Sequence, residues 1–224
     1  MGGVPILYDR RPPSNYGVGG IAYRPYIEED FGKECETCFS DMFETLDSDF
    51  GLETVAILTG GVSRRPTSGR RSYHHQSRAF DLDGLLFEQG NRWVADTFPT
   101  DPYIYLAIES VVRRQFGTVL AYDYNATHED HIHFDNGTSP GFNTMAKSRI
   151  QFVQNCSVYL FDQVISVDGV YGPDTRDAIS DIREELSLGT FTEIDNWQAF
   201  LEIVPAIAGD RSRQAQSILV ASGG

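Results

Sequence analysis

The sequence predicts an α+β fold, in which a small antiparallel sheet with flanking helices is followed by a C-terminal helical domain. Short apolar or alternating segments typical of strands occur between residues 53 and 135. Two segments with apolar residues at helical spacing accompany them, and beyond about residue 138 the remaining segments are helix-like. Helices set apart from a small sheet are typical of the α+β class.

Local patterns predict the individual elements. Residues 1–28 are rich in Pro, Gly, Tyr and Arg, and we expect an extended arm lying over the fold. Residues 29–47 have the apolar spacing of an amphipathic helix. A second helix is expected from Asp101 to about Gln115, because Pro102 suits a first helical turn and Gly117 follows the last one. The predicted strands cover residues 53–59, 79–87, 93–98, 118–124 and 131–135.

A linker-like stretch, GTSPGFNT, divides the chain near residue 138. Beyond it we predict helices over residues 146–161, 174–187, 193–206 and 209–221. The expected domains are the arm (1–28), a sheet-containing domain (29–140), a helical domain (146–189) and further C-terminal helices (190–224).

Composition excludes several classes of function. The formal net charge of −14 argues against a nucleic-acid partner, which requires a positive surface. There is no run of 18 apolar residues, so we expect no membrane span. The N-terminus lacks a basic stretch followed by a long apolar one and is not a secretory signal as it stands.

The cysteine pattern is more ambiguous. Cys35 and Cys38 form a CxxC pair, which could serve redox chemistry or half of a zinc site. Cys35 lies on the apolar stripe of its predicted helix, and no second CxxC follows. We therefore predict that these cysteines are buried core thiols.

Two segments carry ligand-type side chains, SYHHQSRAFDLDG and HEDHIHFD. Side chains alternate between the two faces of a strand, so Asp81 takes the face opposite its apolar neighbours, and His131 and His133 do the same on their strand. If the two strands pair, Asp81 and His133 converge. His74 would then reach them from the preceding loop.

Two imidazoles and one carboxylate form the three-ligand set of a catalytic zinc site, which leaves a fourth position for water. We therefore predict Zn²⁺ bound by His74, Asp81 and His133. Hydrolysis also requires a group that moves protons, and Asp130, Glu129 and His131 are adjacent candidates.

Other polar residues near these segments have alternative roles. His75 could exchange roles with His74, and His128 either begins the strand or contacts substrate. Asp83 either orients a ligand histidine or precedes a turn at Gly84.

The order Ser72, His74, Ala79, Asp81 resembles the S-x-H-x-x-G-x-A-x-D motif of LAS-type metallopeptidases, a group of zinc D-Ala-D-Ala carboxypeptidases, dipeptidases and murein endopeptidases. The pattern is most similar to the extensin-like C-terminal branch, over about residues 53–136. The resemblance implies His133 as the third ligand, Asp130 as the base and His131 as a transition-state stabiliser. It also implies that Arg64 or Arg65 holds a substrate carboxylate or the oxyanion. Ser77 stands where that family has Gly.

A second resemblance involves SVDGVYGPDTR, residues 166–176, in which Asp168, Gly169, Gly172 and Thr175 match the D-G-x-x-G-x-x-T loop of small peptidoglycan-binding domains. It covers about residues 146–189. That loop marks a fold more than a binding surface.

Together the two resemblances imply a zinc peptidase domain at residues 29–140 that hydrolyses D-amino-acid peptide bonds in peptidoglycan stem peptides or cross-links, as a carboxypeptidase or an endopeptidase. The alternatives are a non-catalytic peptidoglycan-binding or structural module, and a zinc hydrolase of a non-wall peptide. The substrate would place the protein in the periplasm or outside the cell, reached by a route other than a signal peptide or encoded by a phage.

Overall fold

The computed structural model describes residues 1–8, 21–62, 72–88 and 90–222, and it confirms the α+β class. Within this part of the chain there are five α-helices and one sheet. The strands are β1 (Ile6–Tyr8), β2 (Ile21–Ala22), β3 (Thr54–Gly61), β4 (Ala79–Phe87), β5 (Arg92–Val94), β6 (Thr118–Leu120) and β7 (Ile132–Asp135). The helices are α1 (Glu29–Phe50), α2 (Pro102–Gln115), α3 (Lys147–Tyr159), α4 (Pro173–Glu185) and α5 (Ile194–Ser222).

The sheet is mixed rather than wholly antiparallel as predicted. Its strand order is β2-β1-β3-β4-β7-β6, with β5 also paired to β4. β1 runs parallel to β3, with Ile6 opposite Ile57, whereas the other pairs are antiparallel. The parallel pair arises because residues expected in an extended arm join the sheet edge, more than 40 residues away from β3 along the chain.

The two faces of the sheet differ in chemistry. Phe80 of β4 lies opposite Phe134 of β7, and their rings stack with centroids 5.3 Å apart. Phe39 of α1 contacts both rings edge-on or tilted, so this face forms the core. The next pair along the strands, Asp81 and His133, points to the opposite face. The predicted alternation of these two strands is therefore confirmed.

Helix α1 covers the core face. The Glu28 side chain accepts a hydrogen bond from the backbone N–H of Phe31 at its start, and Gly51 ends it in the left-handed conformation. Cys35 and Cys38 are buried and form no disulfide, as predicted. Burial raises the pKa of both thiols, which keeps them protonated and chemically quiet.

Two predicted strands are shorter in the structure. Residues 93–98 form a strand only to Val94, and residues 118–124 form one only to Leu120. A 3-10 turn follows each. In the turn that follows β6, the backbone N–H of Tyr122 donates to the hydroxyl of Tyr105 rather than to a neighbouring strand.

The C-terminal helices pack against α2 and α3. The two helices predicted over 193–206 and 209–221 are one helix, α5, which continues through Pro205. Buried apolar side chains before and after the proline hold it in place. At Gly209 an added Cβ would lie 2.6 Å from the backbone oxygen of Asp49. This glycine therefore permits close packing and does not end the helix.

In the part of the chain that the structure describes, no helix has the length and apolar character needed to cross a membrane.

Candidate metal site

Three separate elements place the predicted ligands next to one another. His74 lies on a 3-10 turn (Tyr73–Gln76), Asp81 on β4 and His133 on β7. Asp81 and His133 are direct partners in the β4–β7 register. The Ser72 side chain accepts a hydrogen bond from the backbone N–H of His74, which starts the turn and fixes the entry of that histidine.

The three inward-facing atoms form a nearly equilateral triangle. His74 Nε2 lies 3.1 Å from Asp81 Oδ1 and 3.2 Å from His133 Nδ1. His133 Nδ1 lies 2.9 Å from Asp81 Oδ1. Among the described residues these side chains form a possible metal-binding group, with ligand atoms within 4.8 Å of one another.

The outer nitrogen of each imidazole has its own acceptor. His74 Nδ1 lies 3.1 Å from the backbone oxygen of Val62, and His133 Nε2 lies 3.3 Å from Asp135 Oδ2. Both acceptors are oxygens without a proton to give, so each outer nitrogen carries the N–H and donates. In the neutral form of each ring the inner nitrogen therefore presents a lone pair, which faces the Asp81 carboxylate.

Three converging acceptors require a positive charge between them, which either a proton or a metal ion supplies. Burial alone would raise the pKa of Asp81, but the adjoining imidazoles of His133 and His74 outweigh it and hold that pKa well below its usual range. Burial alone would lower the pKa of His133, whereas Asp135 and Asp81 raise it to about 9. Without a metal, the site therefore holds a proton on His133.

The geometry fits a small divalent ion. Four ligands arranged tetrahedrally at about 2.0–2.1 Å from an ion lie about 3.3 Å from one another. The three edges measured here, 2.9–3.2 Å, need only a small outward movement to match. The Asp135 carboxylate and the Val62 carbonyl orient the two imidazoles in the tautomers that such an ion requires.

A second imidazole–carboxylate pair faces the triangle. His131 Nε2 lies 3.6 Å from Asp81 Oδ1, and His131 Nδ1 lies 2.6 Å from Asp130 Oδ1. His131 is buried, whereas the side chain of Asp130 is 42% exposed. The His131 imidazole thus connects Asp130 to the site, while the Asp130 carboxylate remains in contact with solvent.

His128 extends this cluster of rings. Its ring centroid lies 5.1 Å from that of His131 and 6.0 Å from that of His133. Burial, followed by the charges of His131 and His133, lowers the pKa of His128 to about 4. It is therefore a neutral imidazole at neutral pH. Sequence analysis left its role open, and its place beside both histidines became visible only in the fold.

The remaining predicted residues have mixed outcomes. Arg64 and Arg65 lie outside the described residues. His75 sits on the same turn as His74 but outside the triangle, and Glu129 is exposed. Asp83 is fully buried in β4 and is not one of the three ligand residues.

The structure explains one departure from the motif. Ser77 has a φ of 56°, in the left-handed region that favours glycine. The family that this segment resembles has Gly at this position, and the backbone conformation found here is one that favours Gly. The turn nevertheless forms with Ser, and the backbone carbonyl oxygen of Ser77 accepts a hydrogen bond from the backbone N–H of Glu28.

Asp135 is the residue that sequence analysis missed. It stands two residues after His133 on β7, so both side chains lie on the same face. Its Oδ1 accepts a hydrogen bond from the backbone N–H of Gly137, which fixes the carboxylate beside His133. The two-residue spacing was a signal that could have identified it.

A groove of about 590 Å³ runs along the edge strand β6 and is lined by Thr118, Leu120, Tyr124 and Lys147, among others. Leu120 is the register partner of His133, and Thr118 is that of Asp135, so their side chains share the face of the ligand residues. The groove thus lies along the strand that pairs with the ligand-bearing strand β7.

Residues 61–145 match the family model described as "Extensin-like protein C-terminus". The matched segment contains all three ligand residues together with Asp130 and His131, and it supports the resemblance of this segment to the extensin-like C-terminal family. Searches of curated proteins and of solved structures found no significant match.

Proposed function

We propose that this protein is a zinc-dependent peptidase that hydrolyses D-amino-acid peptide bonds in bacterial peptidoglycan. One observation carries the proposal: the inward-facing atoms of His74, Asp81 and His133 lie 2.9–3.2 Å apart, and each imidazole is held in the metal-binding tautomer by an outer acceptor. Two nitrogen donors and one carboxylate favour zinc.

A bound zinc ion would supply Lewis-acid chemistry, polarising the scissile carbonyl and making a water molecule more acidic. The chain's own residues then have distinct tasks. Asp130 accepts the Nδ1–H of His131 and so leaves Nε2 facing the ligand site. We assign proton movement to this pair, with Asp130 as the ultimate base and His131 as the group nearest to the reacting atoms.

The Asp130–His131 pair would take a proton from the attacking water and return it to the leaving amine. Once the water's proton is on His131 Nε2 and the Nδ1 proton is on Asp130, the Nε2–H of His131 donates to the negative charge that develops on the carbonyl oxygen. Arg64 or Arg65 is proposed to assist there or to hold a substrate carboxylate. The groove along β6 gives the flanking part of a peptide substrate a place to lie.

The substrate class rests on resemblance. The motif that resembles that of LAS-type peptidases favours peptidoglycan stem peptides or cross-links, and it lies within the segment that matches the extensin-like C-terminal model. The loop at residues 166–176 resembles that of peptidoglycan-binding domains and favours the same substrate. Such a substrate implies a location in the periplasm or outside the cell.

The test is mass spectrometry of fragments released from purified peptidoglycan by the untreated protein, the chelated protein and the zinc-restored protein. We expect D-Ala or split cross-linked peptides, lost with chelator and regained with zinc. His131→Gln should abolish release and His75→Gln should not, although both remove an imidazole near the site. Zinc binding without release would favour the non-catalytic module, and release only from non-wall peptides would favour the other hydrolase.

A further inference from the structure

The connection between β6 and β7 carries His128, Asp130 and His131, yet it lies outside the sheet ladder. It runs over residues 121–131, and its only regular structure is two short 3-10 turns. Two antiparallel neighbours can be joined by as few as two residues, so a connection of this length is not fixed by the strands alone. Contacts from elsewhere hold the first part of this connection.

Helix α3 supplies those contacts from one face. Lys147, Gln151 and Asn155 are spaced four residues apart, so their side chains lie in one row on the helix. Lys147 Nζ donates to the backbone oxygen of Tyr124 at 2.8 Å, and Gln151 Nε2 donates to that of Asp123 at 2.7 Å. Asn155 Nδ2 donates to Asp123 Oδ2 at 2.9 Å. We call these three side chains the α3 donor row.

The Gln151 amide donates a hydrogen bond to Asp123 while its own oxygen, within the described part of the chain, stays unpaired. Its side chain is buried, and its Oε1 has no hydrogen-bond partner among the described residues. A buried unpaired carbonyl oxygen is unfavourable, and a methionine of similar length would avoid it. The advantage of glutamine here lies in the N–H that it gives to the Asp123 backbone.

From the α3 donor row, a series of side-chain contacts leads to the site. The Tyr124 ring meets that of His128 edge-on at 5.5 Å, and His128 Nδ1 lies 2.9 Å from Asn125 Oδ1. The His128 ring in turn lies 5.1 Å from that of His131. Two short steps therefore separate the residues held by α3 from the imidazole that faces the ligand triangle.

We propose that Gln151 and Asn155 are positioning residues, which hold the 121–131 connection so that the Asp130–His131 pair faces the metal site. The expected effect on catalysis rests on the proposed peptidase function, whereas the expected loosening of the 121–131 connection does not. Helix α3 would then be part of the working site, in addition to any role of the helical region in binding.

The test variant is Gln151→Met, which keeps the side-chain length and removes the donor. Gln154→Met is its matched control, because Gln154 is a buried amide on the same helix that holds Asp168 and Thr175 of another loop. Hydrogen–deuterium exchange should become about tenfold faster over residues 121–131 in Gln151→Met and over residues 166–172 in Gln154→Met. Unchanged exchange over 121–131 in Gln151→Met would overturn the proposal.

Two further readouts separate positioning from general damage. Zinc affinity should stay within about threefold of wild type in Gln151→Met, because the ligands lie on other elements, while kcat on a soluble peptide fragment falls about ten- to a hundredfold. Gln154→Met should leave kcat unchanged. Equal losses of kcat in both variants would contradict a positioning role. If wild type hydrolyses nothing, the proposed function fails, and the exchange comparison still decides whether the donor row holds this connection.

Discussion

Buried polar side chains lie both at the candidate metal site and under the loop at residues 166–176, but their hydrogen-bonding groups are paired in different ways. Under the loop, Gln154 Nε2 donates to Asp168 Oδ1 and Thr175 Oγ1, both at 2.9 Å. Its Oε1 accepts from the backbone N–H of Asp168 at 3.1 Å and of Gly169 at 2.8 Å. Every donor of the amide has an acceptor, and its oxygen has donors.

At the candidate metal site the pairing depends on a shared cation. The outer nitrogens of His74 and His133 have acceptors, and the inner nitrogens of both rings converge on Asp81 Oδ1, where a proton or a metal ion joins them. A self-contained network stabilises a fold, whereas acceptors that converge on a cation are typical of a binding site. This difference separates a structural polar cluster from a functional one without reference to any relative.

The largest expected effect is on metal binding. His74→Ala removes one of three protein ligands, and since structural zinc binding of about 10–16 kcal/mol is shared among the ligands, affinity should fall on the order of a thousandfold. His75→Ala is the control on the same turn and should bind zinc like wild type. Competition with a chromophoric chelator measures both. Equal affinities in the two variants would show that His74 is not a ligand.

Asp135→Asn should weaken zinc binding about ten- to a hundredfold at pH 9, because it removes the carboxylate that orients His133. The matched control is Asp168→Asn in the loop cluster, which should leave zinc affinity unaltered. A wild-type affinity in Asp135→Asn would mean that the tautomer of His133 is set by another group.

The pH dependence follows from the same contact. Since the pKa of His133 is raised to about 9, zinc must displace its proton, and wild-type affinity should fall about fiftyfold between pH 9 and pH 7. In the metal-free protein a raised histidine pKa stabilises the fold below about pH 6.5, and this stabilisation is lost as pH rises through 9. Denaturant unfolding from pH 6 to 10 should show that loss, and a flat profile would contradict it.

Gln154→Met should lower the free energy of unfolding by about 2–3 kcal/mol, because it leaves two backbone N–H groups and the Asp168 and Thr175 side chains short of partners. Zinc affinity should not change. Urea unfolding of the zinc-loaded protein gives the first value, and chelator competition gives the second. A large loss of zinc affinity would mean that the two clusters are not independent.

The smallest effect is expected at Ser77. Ser77→Gly relieves a left-handed backbone at φ 56° and should stabilise the protein by about 0.5–1 kcal/mol. Ser187, which follows helix α4, has a similar left-handed φ of 55° and provides the control. Ser187→Gly should stabilise the protein by a similar amount. Destabilisation confined to Ser77→Gly would show that the serine side chain itself supports the turn.

Much of the site was predictable because it depends on strand periodicity. The two-residue alternation placed Asp81 and His133 on one face, and their pairing followed from two adjacent strands. The same alternation could have identified Asp135, two residues after His133. Local pattern thus accounts for the ligands and for one of their supports.

Other features depend on contacts that no local pattern contains. Gln151 and Asn155 hold a segment about 30 residues earlier in the chain, and Val62 orients His74 from the end of β3. The parallel pairing of β1 with β3 and the continuation of α5 through Pro205 both depend on long-range packing. Such contacts form only once the elements are assembled.

We propose that the converging acceptors of His74, Asp81 and His133 form a metal site. X-ray absorption at the zinc edge of the zinc-loaded protein tests this proposal most directly. We expect one zinc per chain with two imidazole nitrogens and further oxygen ligands at about 2.0–2.1 Å, and no sulfur. Sulfur at about 2.3 Å, which would implicate Cys35 and Cys38, or zinc well below one per chain, would contradict it.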